Sequence, residues 1–264
     1  MTITILTIIF YLFASSLPLV STYWNKTNIF KILWIFSGGI ALFLHSFLLH
    51  HWIDLDNGVQ NLSFINMLSF SFWLIGILIL AIVLWQPLDL LITILFPLEV
   101  LTILLIHFFP QTYVVNTVNT PQLIFHIFIS IFTLCILDVA GFLAILLAVQ
   151  ERCIRFHRVT AVIEKLPSLQ SMERLLFQIL TIGFLFLTIV LITSFYFYHI
   201  ILFKNWVVLQ KTVLVFIAWC VLFILLIGRQ LWGWRGKKTL YYTLTGVFLL
   251  LAAYCFSKFI IEIF

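Results

Sequence analysis

Charged residues are scarce in this chain. Asp, Glu, Lys and Arg make up 9% of its 264 residues, whereas 64% are hydrophobic. Soluble domains carry about 25% charged residues, so this composition excludes a soluble globular protein. The mean hydropathy of +1.23 supports the same conclusion. Residues 1–264 are therefore predicted to form a single polytopic domain with the lipid bilayer as its surroundings.

Motifs for redox chemistry and catalysis are also missing. The four cysteines, Cys135, Cys153, Cys220 and Cys255, are scattered and form neither C-x-x-C nor C-x-x-C-H. This pattern excludes covalent haem attachment and thioredoxin-like chemistry. The sequence has no H-E-x-x-H motif, phosphate-binding loop or nucleophile–base pair, so an independent enzyme is not expected. The net charge of +5 comes from short loops between apolar runs, which indicates topology rather than nucleic-acid binding.

Long apolar runs dominate the sequence. A helix that crosses ~30 Å of hydrocarbon needs about 20 mostly apolar residues. Eight runs fit this requirement, at about residues 1–20, 32–49, 67–85, 90–109, 120–149, 175–203, 212–232 and 240–263. The predicted fold is therefore an all-α integral membrane protein, a bundle of eight transmembrane helices.

The basic residues predict an orientation. Of the 14 Lys and Arg residues, 11 lie at the ends of spans or in loops on one side: Lys26, Lys31, Arg152, Arg155, Arg158, Lys165, Arg174, Arg229, Arg235, Lys237 and Lys238. The positive-inside rule makes that side cytoplasmic and places both termini on the outer, periplasmic side. The charged segment 150–174 is then a cytoplasmic loop, predicted to form one or two interfacial helices that break at Pro167.

Ionisable residues inside the apolar runs are candidates for function, because they are costly in a membrane. Glu99 and Asp138 fall near the middle of the fourth and fifth spans. One interpretation is a proton or cation relay. The other is that both carboxyls are protonated or hydrogen-bonded inside the bundle. Arg229, about one turn inside the end of the seventh span, is expected to extend its side chain to the interface.

The histidines gather on one side of the predicted bundle. Six of the seven fall at the outer face: His45, His50, His51, His107, His126 and His199. Neutral imidazole is the common axial ligand of haem, so a shared metal or haem site would explain this distribution. The alternative is that these are ordinary interfacial histidines. His50 and His51, for example, are adjacent and would point ~100° apart on a helix.

Several segments resemble a known family in their order and position. Residues 120–127, TPQLIFHI, resemble the outer-face W-L-x-x-H-V entry of the cytochrome c assembly family, the haem-handling proteins of the CcsA and CcmC type. Residues 172–174 leading into 180–188 are similar to the entry of that family's sixth span, and residues 234–238 to its basic turn. The eight-helix length and the N-L-S-x-x-N loop at residues 61–66 are most similar to the YpjD-type inner-membrane subgroup.

This resemblance implies an inner-membrane protein that holds or passes haem at the outer face, together with other membrane or cytochrome assembly proteins. His126 matches the first haem ligand of the haem-exporting members. Lys211 and Trp219 match the lysine and the closing tryptophan of their WWD segment, although the tryptophan cluster and its Asp are missing here. The second ligand remains open among the following residues: His199, His107, His45, His50 and His51.

A second function remains open beside haem handling. The chain would then be an accessory subunit, or an ion-linked membrane protein, that keeps the fold without exporting haem. The missing tryptophan cluster and the retained carboxyls of Glu99 and Asp138 support this alternative.

Overall fold

The computed structural model describes residues 2–24, 27–55, 59–116, 121–157, 161–164, 166–202 and 206–263. The helices are as follows: α1 Thr2–Trp24, α2 Thr27–Ile53, α3 Phe64–Trp85, α4 Asp89–Phe108, α5 Pro121–Arg155, α6 Ala161–Glu164, α7 Leu169–Leu202, α8 Trp206–Trp232 and α9 Lys237–Ile263. In this described part, 8 helices are long and apolar enough to cross a membrane, which leaves out only the short α6. The predicted helical architecture with eight spans is thus confirmed.

The helix ends differ from the limits of the apolar runs. Helix α5 continues past residue 149 to Arg155, and α8 begins at Trp206, so most of the predicted loop before Lys211 is helical. His50 and His51 belong to the last turn of α2 instead of a loop. Hydrophobicity indicates where the bilayer ends, whereas a helix continues as long as its backbone hydrogen bonds are favourable. The 35 residues of α5 would extend about 52 Å, well beyond the ~30 Å of hydrocarbon.

The chain leaves helical geometry around Pro167, between α6 and α7, where a break was predicted.

A small sheet occupies two of the predicted loops. Strands β1 (Asp54–Leu55), β2 (Val59–Asn61) and β3 (Val114–Asn116) pair antiparallel in the order β1-β2-β3. The Asn61 amide fixes one loop to the other, because its Nδ2 donates to Gln111 O (3.0 Å) and its Oδ1 accepts from Tyr113 N (2.9 Å). Strands of two or three residues are too short to show an alternating pattern, so the sequence predicted only loops here.

The chain divides into two compact units by its internal contacts, and the single polytopic domain expected from the sequence stays a prediction. The first unit is Met1–Asn119 with Val159–Pro167, and the second is Thr120–Arg158 with Ser168–Phe264. In the first unit, α1 packs on α2 and α4, and α3 packs on α2 and α4. In the second, α5 packs on α7 and α9, and α8 packs on α7 and α9. Each unit therefore contains four of the membrane-spanning helices.

Glycines allow close helix contacts in both units. A Cβ at Gly38 of α2 would lie 2.9 Å from the Phe96 ring of α4. In the second unit, a Cβ at Gly183 of α7 would lie 2.5 Å from Cδ2 of Leu137 on α5. Small residues at such positions let membrane helices approach closely, and dispersion between the packed side chains then holds the helices together.

Arg229 is held by an ion pair at the turn between α8 and α9. Its Nη1 donates to Glu173 Oε1 of α7 (2.7 Å) and to Trp234 O (3.2 Å), and its guanidinium lies 4.7 Å from the centre of the Phe177 ring. Arg235 reaches the same carboxylate oxygen at 3.3 Å. The side chain of Arg229 therefore does more than extend toward the interface, because it joins α7 to the α8–α9 turn.

Candidate functional site

His126 lies in the second turn of α5, with its ring partly exposed in the second unit. Its Nδ1 is 3.0 Å from Thr193 Oγ1 on α7, and this hydroxyl donates its proton to Val190 O at 3.0 Å. With the threonine proton on Val190 O, Thr193 accepts from the imidazole, and the ring proton is then on Nδ1. The lone pair then lies on Nε2. A hydrogen bond of this kind at one ring nitrogen commonly fixes the tautomer and orientation of metal-binding histidines.

Two further residues that the sequence analysis selected belong to the same unit. Lys211 lies in the second turn of α8, and its ammonium group acts electrostatically on the His126 ring. Trp219 lies on the same helix about 12 Å further along its axis, since each residue adds ~1.5 Å. Its indole Nε1 donates to Thr188 Oγ1 of α7 at 3.0 Å. Helix α7 thus holds both His126 and Trp219 through threonine hydroxyls.

An apolar groove of about 910 Å³ lies along α7 and α8 in this unit. Its walls are formed by Thr188, Leu191, Ile192, Phe195, Tyr196, Phe216 and Trp219. The Trp219 ring is part of an aromatic stack, 5.3 Å from Phe184 and 5.1 Å from Phe223 between ring centres. The α7 residues of the groove point on average about 130° away from Thr193 around the helix axis, so the groove and His126 lie on different faces of α7.

All of the other histidine candidates except His199 belong to the first unit. His45 and His107 belong to the first unit, where His45 is buried and His107 is exposed at the end of α4. His50 is exposed and its Nδ1 lies 2.6 Å from Asp54 Oδ2, and the neighbouring His51 is exposed too. The backbone of His199 continues α7 in the second unit, but its side chain lies outside the described residues.

The first unit contains a buried polar cluster, of which only His45 and Glu99 were predicted from the sequence. His45 Nδ1 is 3.0 Å from Tyr11 Oη, and His45 Nε2 is 3.0 Å from Ser69 Oγ. Thr102 Oγ1 lies 3.2 Å from that serine oxygen, and Glu99 Oε2 lies 3.7 Å from His45 Nδ1. All five side chains are at most 2% exposed.

His45 and Glu99 were predicted separately from the sequence, one as a haem ligand and the other as a relay carboxyl. Tyr11, Ser69 and Thr102 were not predicted, since single hydroxyls are common in membrane helices. One signal was present, because Glu99 and Thr102 are three residues apart and share a face of α4. The positions of residues in the sequence do not show that a side chain of α2 contacts one of α4.

Asp138 lies on α5 in the second unit, and Glu99 lies on α4 in the first. One carboxyl oxygen of Asp138, Oδ1, is buried and has no hydrogen-bond partner among the residues that the structure describes. A relay that joins Asp138 to Glu99 stays a prediction. Within the same described ranges, no group of three or more His, Cys, Asp or Glu side chains could hold a metal ion.

Comparisons with known proteins agree over most of the chain. The family model described as Cytochrome C assembly protein matches residues 33–264. Inner membrane protein YpjD of Escherichia coli strain K12 is 31% identical over 227 residues, which cover 85% of this chain and 84% of the relative. The proteins of the same name from Escherichia coli O6:H1 and O157:H7 match with the same identity and coverage. No solved structure matches this chain.

Proposed function

Because this chain belongs to the cytochrome c assembly protein family, we propose that it holds or passes haem at the outer face of the membrane, with His126 as one axial ligand. Its relatives are inner membrane proteins and its eight apolar helices can span a bilayer, so it is a multi-pass inner membrane protein. The family generally handles haem rather than acting as a classical enzyme. The observation that carries the proposal is the grouping of His126, Thr193, Lys211 and Trp219 in one unit.

The residues of this site have the chemistry that haem requires. An imidazole with its proton on Nδ1 presents the Nε2 lone pair that axial ligation uses. An ammonium group such as that of Lys211 complements the negative charge of a haem propionate. The open groove beside Trp219 offers aromatic and aliphatic walls for one face of a flat apolar macrocycle. When bound, haem supplies the iron, and these side chains hold and orient it.

The second axial ligand is proposed from the remaining histidines. His199 is the first to test, because its backbone lies on α7, the helix that carries Thr193. His45 already has Tyr11 and Ser69 on its two ring nitrogens, so ligation there would break a buried hydrogen bond. His107 and His50 are exposed in the first unit, as is His51. The distribution of Lys and Arg supports the outer-face location, because the positive-inside rule predicts that α5 starts on the outer side.

The test is the optical spectrum of protein purified from haem-replete cells. The wild type should show a Soret band, and His126→Ala should weaken it strongly. His51→Ala is the matched control, because this exposed histidine lies in the other unit. A colourless wild type that also fails to take up added hemin would refute the proposal. Equal loss of the band in both variants would also refute it.

A second candidate function is an accessory subunit or ion-linked membrane protein that has kept the fold without exporting haem. The buried Asp138 Oδ1, which lacks a hydrogen-bond partner among the described residues, supports it. So does the missing tryptophan cluster, in whose place α8 forms a regular helix from Trp206. This function predicts that Asp138→Asn makes cells sensitive to ionic stress while His126→Ala has no effect. Normal growth of Asp138→Asn under that stress would contradict it.

A further inference from the structure

We infer that the buried cluster of Tyr11, His45, Ser69, Glu99 and Thr102 in the first unit is a proton-binding site, in which His45 and Glu99 together hold one proton inside the membrane. The site is built only from α1, α2, α3 and α4. It shares no residue with the His126 site. The inference is therefore independent of haem binding.

The cluster lies deep in the membrane-spanning part of the unit. Glu99 is ten residues after Asp89, the first residue of α4, which corresponds to about 15 Å along the helix and half the hydrocarbon thickness. Four helices surround its carboxyl group, and 1% of the residue is exposed. A Cβ at Gly76 of α3 would overlap Glu99 Oε1, so the glycine provides the space in which the carboxyl fits.

Neither carboxyl oxygen of Glu99 has a partner at full hydrogen-bond geometry among the described residues, although the Tyr11 hydroxyl is close enough to interact with the carboxyl. No Lys or Arg pairs with it in that part of the chain; the only ion-pair contact is His45 Nδ1 at 3.7 Å. An ionised and unpaired carboxylate in such a place costs several kcal/mol. The described group that can balance its charge is the His45 imidazole, in its protonated form. The pair is therefore neutral only when it holds one proton, either on Glu99 or on His45.

The hydroxyl groups around His45 can hydrogen-bond its ring in both of these forms. With the proton on Glu99, Tyr11 donates to Nδ1 of neutral His45, and Nε2–H donates to Ser69. With the proton on His45, Nδ1–H faces both Tyr11 Oη and Glu99 Oε2. The Thr102 hydroxyl lies 3.2 Å from Ser69 Oγ and 2.8 Å from Glu99 O, so it completes the chain of hydroxyls. Each arrangement leaves the His45 nitrogens hydrogen-bonded.

Other titratable groups on these four helices are peripheral to the cluster. Tyr11, His45 and Glu99 are the titratable residues that face it, from α1, α2 and α4, and α3 contributes Ser69. The remaining described ones lie near helix ends: Lys31, His50, His51, Asp89 and His107. Loss of the proton would leave a buried uncompensated charge. We therefore expect release to require a movement that admits water between these helices.

The experiment is infrared difference spectroscopy of the full chain in lipid nanodiscs, titrated between about pH 5 and about pH 9. Exposed Asp and Glu are ionised above about pH 6, so they contribute no carboxylic-acid band there. The wild type should retain, at about pH 8, either a carboxylic C=O band or the ring modes of an imidazolium. Glu99→Gln should remove this signal. Asp138→Asn removes any band of a buried carboxyl in the other unit, and it should leave the part of the signal that Glu99→Gln removes unchanged, as should His126→Ala.

Tyr11→Phe is a second variant that keeps the ring packing against Phe96, whose centre is 5.1 Å away, and removes only the hydroxyl. It should shift the signal even if Glu99→Gln fails to fold, because it removes the hydroxyl that hydrogen-bonds His45 Nδ1 and interacts with the Glu99 carboxyl. Spectra that show ionised Glu99 and neutral His45 across the range would overturn the inference. A signal that appears only after sodium is removed would overturn it as well, because the site would then bind a metal cation.

Discussion

The variant Arg229→Gln tests whether this side chain only extends to the membrane interface or also stabilises the fold through its ion pair. If the side chain only extended to the interface, its loss would change stability little. In the structure, however, Arg229 pairs with Glu173 at 2.7 Å, with 26% and 13% of the two side chains exposed. It also bonds Trp234 O and lies over the Phe177 ring. Removing one partner of a fully buried pair costs about 3–5 kcal/mol. Because this pair is partly exposed, we expect about 2 kcal/mol.

Arg235→Gln is the matched control. Arg235 reaches the same Glu173 oxygen at 3.3 Å, but 62% of its side chain is exposed. Pairs of that kind contribute about 0–1 kcal/mol. Unfolding in mixed micelles of increasing SDS fraction measures both variants, and Glu173→Gln completes a double-mutant cycle with Arg229. Equal small losses for Arg229→Gln and Arg235→Gln would refute the reasoning, as would a coupling energy near zero.

Two further predictions concern packing and the small sheet. Gly183→Ala should destabilise the second unit by about 1–2 kcal/mol in the same unfolding assay. Overpacking costs ~1–3 kcal/mol, and the higher helix propensity of alanine offsets up to ~1 kcal/mol of that cost. Gly39→Ala is the control and should be neutral or stabilising, because a Cβ there would meet nothing within 4 Å. Asn61→Ala removes the amide contacts to Gln111 and Tyr113, so hydrogen exchange at Tyr113 N–H should accelerate by about 10-fold or more, and unchanged exchange would contradict the assigned contact.

The eight membrane spans were predictable because bilayer thickness imposes a minimum length of apolar sequence. The ends of the helices were not, since nothing in hydrophobicity marks where α5 stops or α8 starts. The short strands around Asn61 were missed for a related reason. Each is only two or three residues long, and β2 and β3 pair although they lie some 55 residues apart in the chain. Such contacts depend on how the helices arrange the loops between them.

His126 was identified from the sequence because a polar residue at the start of a membrane helix is conspicuous and its segment resembles a family motif. Thr193 was not, although it hydrogen-bonds the His126 ring, because it lies 67 residues away and hydroxyls are ordinary in such helices. His45 and Glu99 were both selected, but their contact depends on the packing of α2 and α4 around Tyr11 of α1. Sequence patterns thus located the costly groups, whereas their partners required the fold.

Imidazole rescue of a His126→Gly variant tests haem ligation most directly. The glycine leaves space at the ligand position, which imidazole in solution can occupy. If His126 is an axial ligand, the variant loaded with hemin should lose the wild-type Soret spectrum and regain it when imidazole is added. Retention of the wild-type spectrum in His126→Gly without imidazole would contradict the proposed role of His126.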